Sequence, residues 1–337
     1  MNRQNGVAII SVLLTVALAT IIVSGLFLRE HITVRSVENR LALTQVRWIE
    51  RAAIDWSKVI LRADATSTKV DHLGEPWAIP VLDTRLDETV TAGAKIDDEA
   101  RAATLSGQMI DAQSRFNLNN LVETGEDRTL VLSIPNLQLF QRLLDLLGLP
   151  QAIANTIASR ILSYKQAVGA VMPESTGGSQ QPGSGPLTGG VSQARDKGPL
   201  EILPMLRLSD LLAVRGVNAE ALELLDGFVI FLPTEKTLIN VGTAPAEILA
   251  ALGDFGLEEA RRLVTAREQV YWNNKEEFIK NLTGEAKTNA ENLSDVKSSY
   301  FLVRGLIRFG RVESLTETLL RRSTKLKTVD VIWQRRI

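Results

Sequence analysis

The sequence offers few side chains that could do chemistry. Its 337 residues include no cysteine, which excludes disulfides, thiolate nucleophiles and cysteine-bound metals. The two histidines, His31 and His72, are too far apart to match a metal-ligand spacing. No nucleophile elbow, phosphate-binding loop or paired-histidine zinc motif occurs, and the carboxylate pair Asp97–Asp98 lies among polar residues. We therefore predict that the chain is not an enzyme and holds no metal or cofactor.

A stretch rich in glycine and proline, residues 173–190, could suggest a phosphate cradle. Such a cradle needs a strand before it, a helix start after it and usually a lysine, and this stretch has none of these. Leu187 is its one apolar side chain, so the stretch cannot bury enough surface to offset its ordering entropy. The composition predicts a mobile loop over residues 173–198.

The element that must position the rest of the chain is an apolar run near its start. From Val7 to Leu28 no residue is charged, and 22 helical residues cross a hydrocarbon core of about 30 Å. A secretory signal has a shorter apolar region of about 7–15 residues. We predict a transmembrane helix over residues 7–28. Basic residues flank it on both sides and do not settle its orientation.

The helical pattern continues beyond residue 28. No proline occurs before Pro76, so we predict one unbroken helix from about Val7 to Leu61, amphipathic in its second half. Its apolar residues recur at mixed steps of three, four and seven and form one stripe: Ile32, Val34, Val37, Leu41, Trp48, Ala52, Trp56 and Val59.

The remaining pattern predicts an α+β protein. Residues 104–121 indicate two short strands around a turn at 111–115, and residues 299–337 indicate three more strands, which are expected to complete the same antiparallel sheet. Helical spacing between them predicts a large all-α insertion, with helices at 136–147 and 153–164 among others. We predict that residues 29–130 form the first part of a sheet domain, that residues 131–295 form an inserted helical domain, and that residues 296–337 form the C-terminal strands of the sheet domain.

Two helix caps can be predicted within the insertion. Asn218 is expected to cap a helix beginning at residue 219, and Thr243 is expected to cap one with Pro245 in its first turn.

Basic residues occupy many positions of the C-terminal strands. We interpret them as the solvated face of the sheet, with docking to an acidic partner as the alternative. These residues are Arg304, Arg308, Arg311, Arg321, Arg322, Lys325, Lys327, Arg335 and Arg336.

One part of the insertion, LINVGTAPAEILAAL followed by GLEEARRLVTAR, resembles a helix-hairpin-helix module. Such modules can hold a DNA phosphate on the backbone amides of a glycine hairpin, with positive charge nearby. Here Asp254 takes the place of the first hairpin glycine, and Glu258 and Glu259 open the next helix. These carboxylates would repel a phosphate, so we expect the fold without the nucleic-acid binding.

The start of the chain resembles the type IV pilin-like proteins. Gly6 precedes the apolar helix, and Ser11 occupies the fifth position after it, where most pilins have glutamate. That missing glutamate, the string DAQSRFNLNNL at 111–121 and the helical insertion together resemble the minor pseudopilin K family of the type II secretion system.

This resemblance implies a structural role. A prepilin peptidase would cut between Gly6 and Val7, and Val7 would be methylated. The protein would be anchored in the inner membrane with its globular part in the periplasm. It would assemble with the I and J minor pseudopilins at the pseudopilus tip, where Ser11 suits a subunit without a neighbour on one side.

The resemblance also implies calcium ligands between Tyr164 and Leu200. Only Glu174 and Asp196 are acidic there, whereas calcium takes six to eight oxygen ligands, so we predict no calcium. The alternative function is a membrane-anchored helix-hairpin-helix DNA-binding protein of a competence type. A hydrolase tethered by its anchor would need a nucleophile that the sequence does not provide.

Overall fold

The computed structural model describes residues 5–86, 103–171, 205–233, 236–323 and 327–337. Its first element is a single helix, α1 (Asn5–Ser67), of 63 residues. At about 1.5 Å per residue the helix is on the order of 95 Å long, and it ends six residues after the predicted Leu61. The helix is long and apolar enough to span a membrane, with a mean hydropathy of 2.6 in its most apolar window, none of which is buried in the protein.

A five-stranded antiparallel sheet faces the second half of α1, in the strand order β1-β2-β9-β10-β11. Strand β2 pairs with β9 from Ala103–Phe309 to Asp111–Phe301, so the C-terminal strands do complete the sheet that begins near residue 105. The strands are β1 (Val81–Arg85), β2 (Ala103–Asp111), β9 (Tyr300–Phe309), β10 (Val312–Ser323) and β11 (Thr328–Arg336).

The face of α1 that packs on the sheet is not the predicted apolar stripe. Val46, Ile54 and Leu61 are buried against strand residues that include Phe301 and Leu320. All the stripe residues are exposed, and apart from Ile32 they lie on other sides of the helix. The helix therefore has two apolar faces, and its own sheet covers one of them.

Short elements follow β2. A 3₁₀ turn at Ala112–Ser114 leads to β3 (Phe116–Asn117), which is much shorter than the predicted second strand. A second 3₁₀ turn and the hairpin strands β4 and β5 come next. Their bounds are Leu118–Leu121, Val122–Thr124 and Leu130–Leu132.

Helices make up most of the described residues between β5 and β9, as predicted. They surround an apolar core that includes Phe116, Phe140, Ile157 and Ile248. We call the described residues between 116 and 296, which supply this core, the helical module. Its helices are α2 (Ile134–Leu146), α3 (Ala152–Val171), a 3₁₀ helix (Leu208–Ala213), α4 (Ala219–Asp226), α5 (Ala246–Gly253), α6 (Leu257–Gln269), α7 (Lys275–Ile279) and α8 (Gly284–Leu293).

Two pairs of short parallel strands join distant parts of the chain. Strand β3 pairs with β6 (Val229–Ile230), and β7 (Ile239–Asn240) pairs with β8 (Ser294–Asp295). The β3–β6 pair and the core contacts of Phe116 therefore join the start of the helical module, just after β2, to its later part.

One of the two predicted caps is confirmed. The Asn218 side chain accepts a hydrogen bond from the Ala221 amide, at 2.8 Å. The Thr243 prediction is wrong, because α5 begins after Pro245 and the Thr243 hydroxyl instead donates to Asp111.

Several predicted features lie outside the described residues, namely the loop 173–198, the pair Asp97–Asp98 and Lys325. The domain boundaries at 130 and 295 stay predictions.

Stability measurements can separate the two faces of α1. Leu61→Ala should lower the free energy of unfolding by about 2–5 kcal/mol, because it opens a cavity against the sheet. Val59→Ala, on the exposed side, should change it by no more than about 0.5 kcal/mol. Urea unfolding of the detergent-solubilised chain would measure both values. Equal losses would contradict this assignment of the faces.

Candidate functional site: the N-terminal helix and a buried ionic junction

The predicted processing bond, Gly6–Val7, lies in the first turns of α1. Ser11 lies one turn further on, and its carbonyl accepts a hydrogen bond from the Thr15 hydroxyl at 2.6 Å. The Thr20 hydroxyl donates likewise to the Val16 carbonyl. These polar groups are therefore satisfied within the helix, as a lipid environment requires.

The second half of α1 carries an unusually apolar outer surface. Trp48 is 67% exposed, and Trp56 and Val59 are more than half exposed. Together with Val34, Val37, Leu41 and Ala52, which lie on the same side of the helix, they form what we call the outer stripe. A contiguous apolar surface of this kind is typical of a protein–protein or membrane contact.

At its C-terminal end α1 enters a buried ionic junction, which we define as Asp64, Asp71, Glu75 and Arg322. Arg322, on β10, donates from Nη1 to Asp64 Oδ2 and from Nη2 to Asp71 Oδ2, each at 2.6 Å. It also donates to the Ser298 carbonyl at 2.8 Å. All four junction side chains are buried.

The three junction carboxylates lie close enough together to suggest a metal site, since their ligand atoms fall within 4.8 Å of one another. The guanidinium of Arg322 already neutralises two of them. The third, Glu75, accepts from the Thr68 hydroxyl, the Trp77 indole and the His72 amide. The carboxylate oxygens are thus already occupied by an arginine and by hydrogen-bond donors, which fits an ion-pair network and does not fit a calcium site. Glu174 and Asp196, in the region where the family resemblance implies calcium, lie outside the described residues.

A further buried carboxylate, that of Asp111, connects the junction to the helical module. Its Oδ2 accepts from Asn240 Nδ2 at 2.9 Å, from the Ser298 hydroxyl at 2.7 Å and from the Thr243 hydroxyl. Asn240 also donates to the Asp71 carbonyl at 3.0 Å. The end of β2, the β7 segment and the loop before β9 therefore meet around one carboxylate.

Close backbone packing at this point requires a glycine. A Cβ atom on Gly242 would lie 2.8 Å from the Asp71 carbonyl oxygen, closer than real Cβ atoms approach. The segment after β7 can therefore reach the loop at residue 71 only without a side chain at this position.

Burial shifts the titration of these carboxylates upward. It raises the pKa of Asp64 to about 7, and the charge of Glu75 adds to the shift, since three carboxylates share one guanidinium. Burial also raises the pKa of Asp111 to about 6 against the hydrogen bonds from Ser298 and Thr243. The pKa of Asp71 is raised for the same reason.

Several of the basic strand residues are not a solvated face, and that interpretation is corrected here for the described part of the sheet. Glu317 accepts from Arg304 at 2.7 Å and from Arg335 at 2.9 Å. Burial would raise the pKa of Glu317, but the hydrogen bonds and the positive charges of the two arginines together lower it. Arg336 pairs with Glu50 of α1 at 3.1 Å, and Arg322 holds the junction. Sequence alternation marked these positions as polar but could not identify the partners of Arg322 and Arg336, which lie more than 200 residues away.

The helix-hairpin-helix region has the predicted order of helix, turn and helix, α5 and α6. Asp254 takes the left-handed conformation at its turn, with φ of 53°, and lies 3.2 Å from Arg142 Nε. Glu258 and Glu259 occupy the first turn of α6. The positive end of the α6 dipole is therefore complemented by these two carboxylates rather than left open for a phosphate.

Comparison with known proteins supports the pseudopilin resemblance. Two family models, both described as type II secretion system protein K, match residues 114–234 and 239–297. A type II secretion system protein K from Pseudomonas aeruginosa is 30% identical over 94% of this chain and 89% of its own length. The chain belongs to the type II secretion system protein K family. A protein K from Aeromonas hydrophila is 29% identical over 97% of this chain and 96% of its own length.

A solved structure shows the same fold. In the crystal structure of the GspK–GspI–GspJ complex from the type 2 secretion system of enterotoxigenic Escherichia coli, one chain aligns with a TM-score of 0.63 at 20% identity. The alignment covers 90% of this chain and 99% of that one. The predicted family and α+β architecture are thus confirmed, and they support a membrane-anchored minor pseudopilin role in type II secretion.

The junction should contribute strongly to stability. Arg322→Gln leaves Asp64 and Asp71 buried without a counter-charge, which should lower the free energy of unfolding by about 3–5 kcal/mol. Arg321→Gln, at the next residue, removes a half-exposed ion pair with Asp330 and should cost less than about 1 kcal/mol. Chemical unfolding followed by tryptophan fluorescence would compare them, and similar losses would argue against the junction.

The raised pKa of Asp64 predicts a pH dependence. Between about pH 4 and pH 7 the folded protein keeps a proton that the unfolded chain releases, so this group makes stability fall as pH rises, by up to about 1.4 kcal/mol per pH unit. Asp64→Asn should flatten this part of the slope. Asp55→Asn, on the exposed side of the same helix, should leave the slope nearly unchanged. Melting temperatures between pH 4.5 and 7.5 would measure it, and an unaltered slope in Asp64→Asn would contradict the assignment.

Proposed function

We propose that this chain is the minor pseudopilin at the tip of the type II secretion pseudopilus. In this role it initiates assembly with the I and J minor pseudopilins and supports protein export across the outer membrane. The observation that carries the tip position is the placement of the helical module. The ionic junction fixes the module beside the C-terminal end of α1, which is the end farthest from the apolar run.

The position of this bulk has a direct consequence for assembly. A subunit joining a helical filament needs free space above the membrane-distal end of the one before it. The helical module fills that space, so the chain can end a filament but cannot continue one. The GspK–GspI–GspJ complex named above supports the choice of I and J pseudopilins as partners.

The N-terminus supports the same position. In the proposal, prepilin peptidase cuts between Gly6 and Val7 at the cytoplasmic side, and the globular part lies in the periplasm. Ser11 then becomes the fifth residue of the mature chain. A carboxylate within the apolar run is unfavourable unless a neighbour pairs with it, with a cost that reaches about 2.5–3.5 kcal/mol at the membrane centre. A tip subunit has no subunit above it to supply such a partner, and serine avoids this cost.

DNA binding remains the second candidate by resemblance, but no specific observation favours it. The residues at the turn and helix start that would face a phosphate, Asp254, Glu258 and Glu259, are acidic. The formal net charge of the chain is −1, which provides no general attraction for nucleic acid.

One experiment tests both processing and the tip position. The chain is produced with prepilin peptidase and the I and J pseudopilins, and the extracted complex is analysed by native mass spectrometry. We expect one copy of this chain per complex. Its mass should equal that of a chain whose first residue is a methylated Val7. An intact N-terminus or a cut after residue 28 would contradict the pilin processing, whereas several copies in one complex would contradict the tip position alone.

A further inference from the structure

The helical module contains a buried cation that lacks a counter-ion. Arg267, in the last turn of α6, is 6% exposed. Its Nη1 donates to the Val241 carbonyl, and its Nε has no hydrogen-bond partner. Among the residues that the structure describes, no carboxylate forms an ion pair with it. Burial accordingly lowers the pKa of Arg267 to about 10. A guanidinium left in this state is costly, and a carboxylate is its usual partner in proteins.

Arg267 borders a cavity of about 270 Å³ at the surface of the module. His72 and Tyr271 form part of its wall, with their rings stacked in parallel at 4.1 Å between centroids. The His72 ring is fixed in turn, because its Nδ1 accepts a hydrogen bond from the Gly74 amide at 3.2 Å. The cavity is therefore a preformed recess with a cation in its wall.

The surroundings of this recess restrict what could enter it. Glu268 also borders the cavity, and its charge partly offsets the lowering of the Arg267 pKa, so the two residues together carry no net charge and a doubly charged phosphate is disfavoured. Leu73 and Tyr271 border the cavity and are both partly exposed, and Val270, which precedes Tyr271 in the chain, is exposed as well. An apolar rim around a buried arginine matches the composition of protein–protein contact centres, where arginine and aromatic residues are enriched.

We propose that this recess, defined by Arg267, His72 and Tyr271, binds the carboxylate of a glutamate or aspartate side chain presented by a partner protein between apolar residues. The carboxylate receives charge-assisted hydrogen bonds from the Arg267 guanidinium, and the flanking apolar side chains contact Leu73, Val270 and Tyr271. The site lies where the helical module meets the loop at residues 72–74, and it does not depend on the tip position.

The test compares two labelled peptides on the full chain in lipid nanodiscs, acetyl-Leu-Glu-Leu-amide and acetyl-Leu-Gln-Leu-amide, by fluorescence anisotropy. The glutamate peptide should bind at least about tenfold more tightly, since a hydrogen bond to a charged group contributes about 1.5–3 kcal/mol. Equal binding of the two peptides, or no binding of the glutamate peptide at millimolar concentration, would overturn the proposal. This comparison uses the unaltered chain, so it does not depend on the folding of any variant.

Two variants assign the preference to Arg267. Arg267→Met keeps the apolar stem and should abolish the preference for glutamate. Arg262→Met removes an exposed arginine of the same helix, paired with Glu259, and should keep it. Circular dichroism would show that both are folded. A preference that survives in folded Arg267→Met would contradict the site, and full displacement of the glutamate peptide by equimolar acetate would contradict a protein partner.

Discussion

The fold depends on one buried guanidinium. Arg322 neutralises Asp64 at the end of the long helix and Asp71 in the loop that follows, while its own strand lies inside the sheet. Burying three charged groups is unfavourable unless all of them are paired and hydrogen-bonded. Removal of the shared guanidinium therefore leaves uncompensated buried charges and strongly destabilises the fold. Through Ser298 and Asn240 the same cluster reaches the helical module. The orientation of the module relative to α1 is therefore set by electrostatics as well as by apolar packing.

The long helix has to satisfy two apolar environments. In the globular region its inner face repeats at helical spacing, with Val46, Ile54 and Leu61 buried against the sheet. The outer stripe, which includes Trp48 and Trp56, remains uncovered in the isolated chain. Exposed tryptophans at such spacing contribute nothing to the fold of a single subunit. They are explained if neighbouring helices cover them, and the proposed assembly provides such neighbours.

Local patterns predicted much of this structure. The uncharged run and the absence of proline correctly indicated one continuous helix, and period-two alternation indicated the three C-terminal strands. Asn218 was predicted as a cap because its partner, Ala221, is only three residues away.

The predictions that failed required long-range information. Thr243 has the sequence context of a helix N-cap, but its hydroxyl instead donates a hydrogen bond to Asp111, which is 132 residues away. Arg322 likewise occupies a position that reads as polar, whereas its partners come from the other end of the chain. Both faces of α1 are apolar, so periodicity alone could not decide which one the sheet covers.

The helix-hairpin-helix region illustrates how a fold can persist without its usual chemistry. Its turn still uses a left-handed residue, but that residue is Asp254, which faces Arg142. A phosphate would have to approach the start of α6 past Glu258 and Glu259, whose charges already complement the helix dipole. What the region retains is packing, since Ile248, Leu249 and Ala260 belong to the core of the helical module. Its contribution to the proposed function is therefore volume and rigidity at the end of α1, where they would limit filament growth.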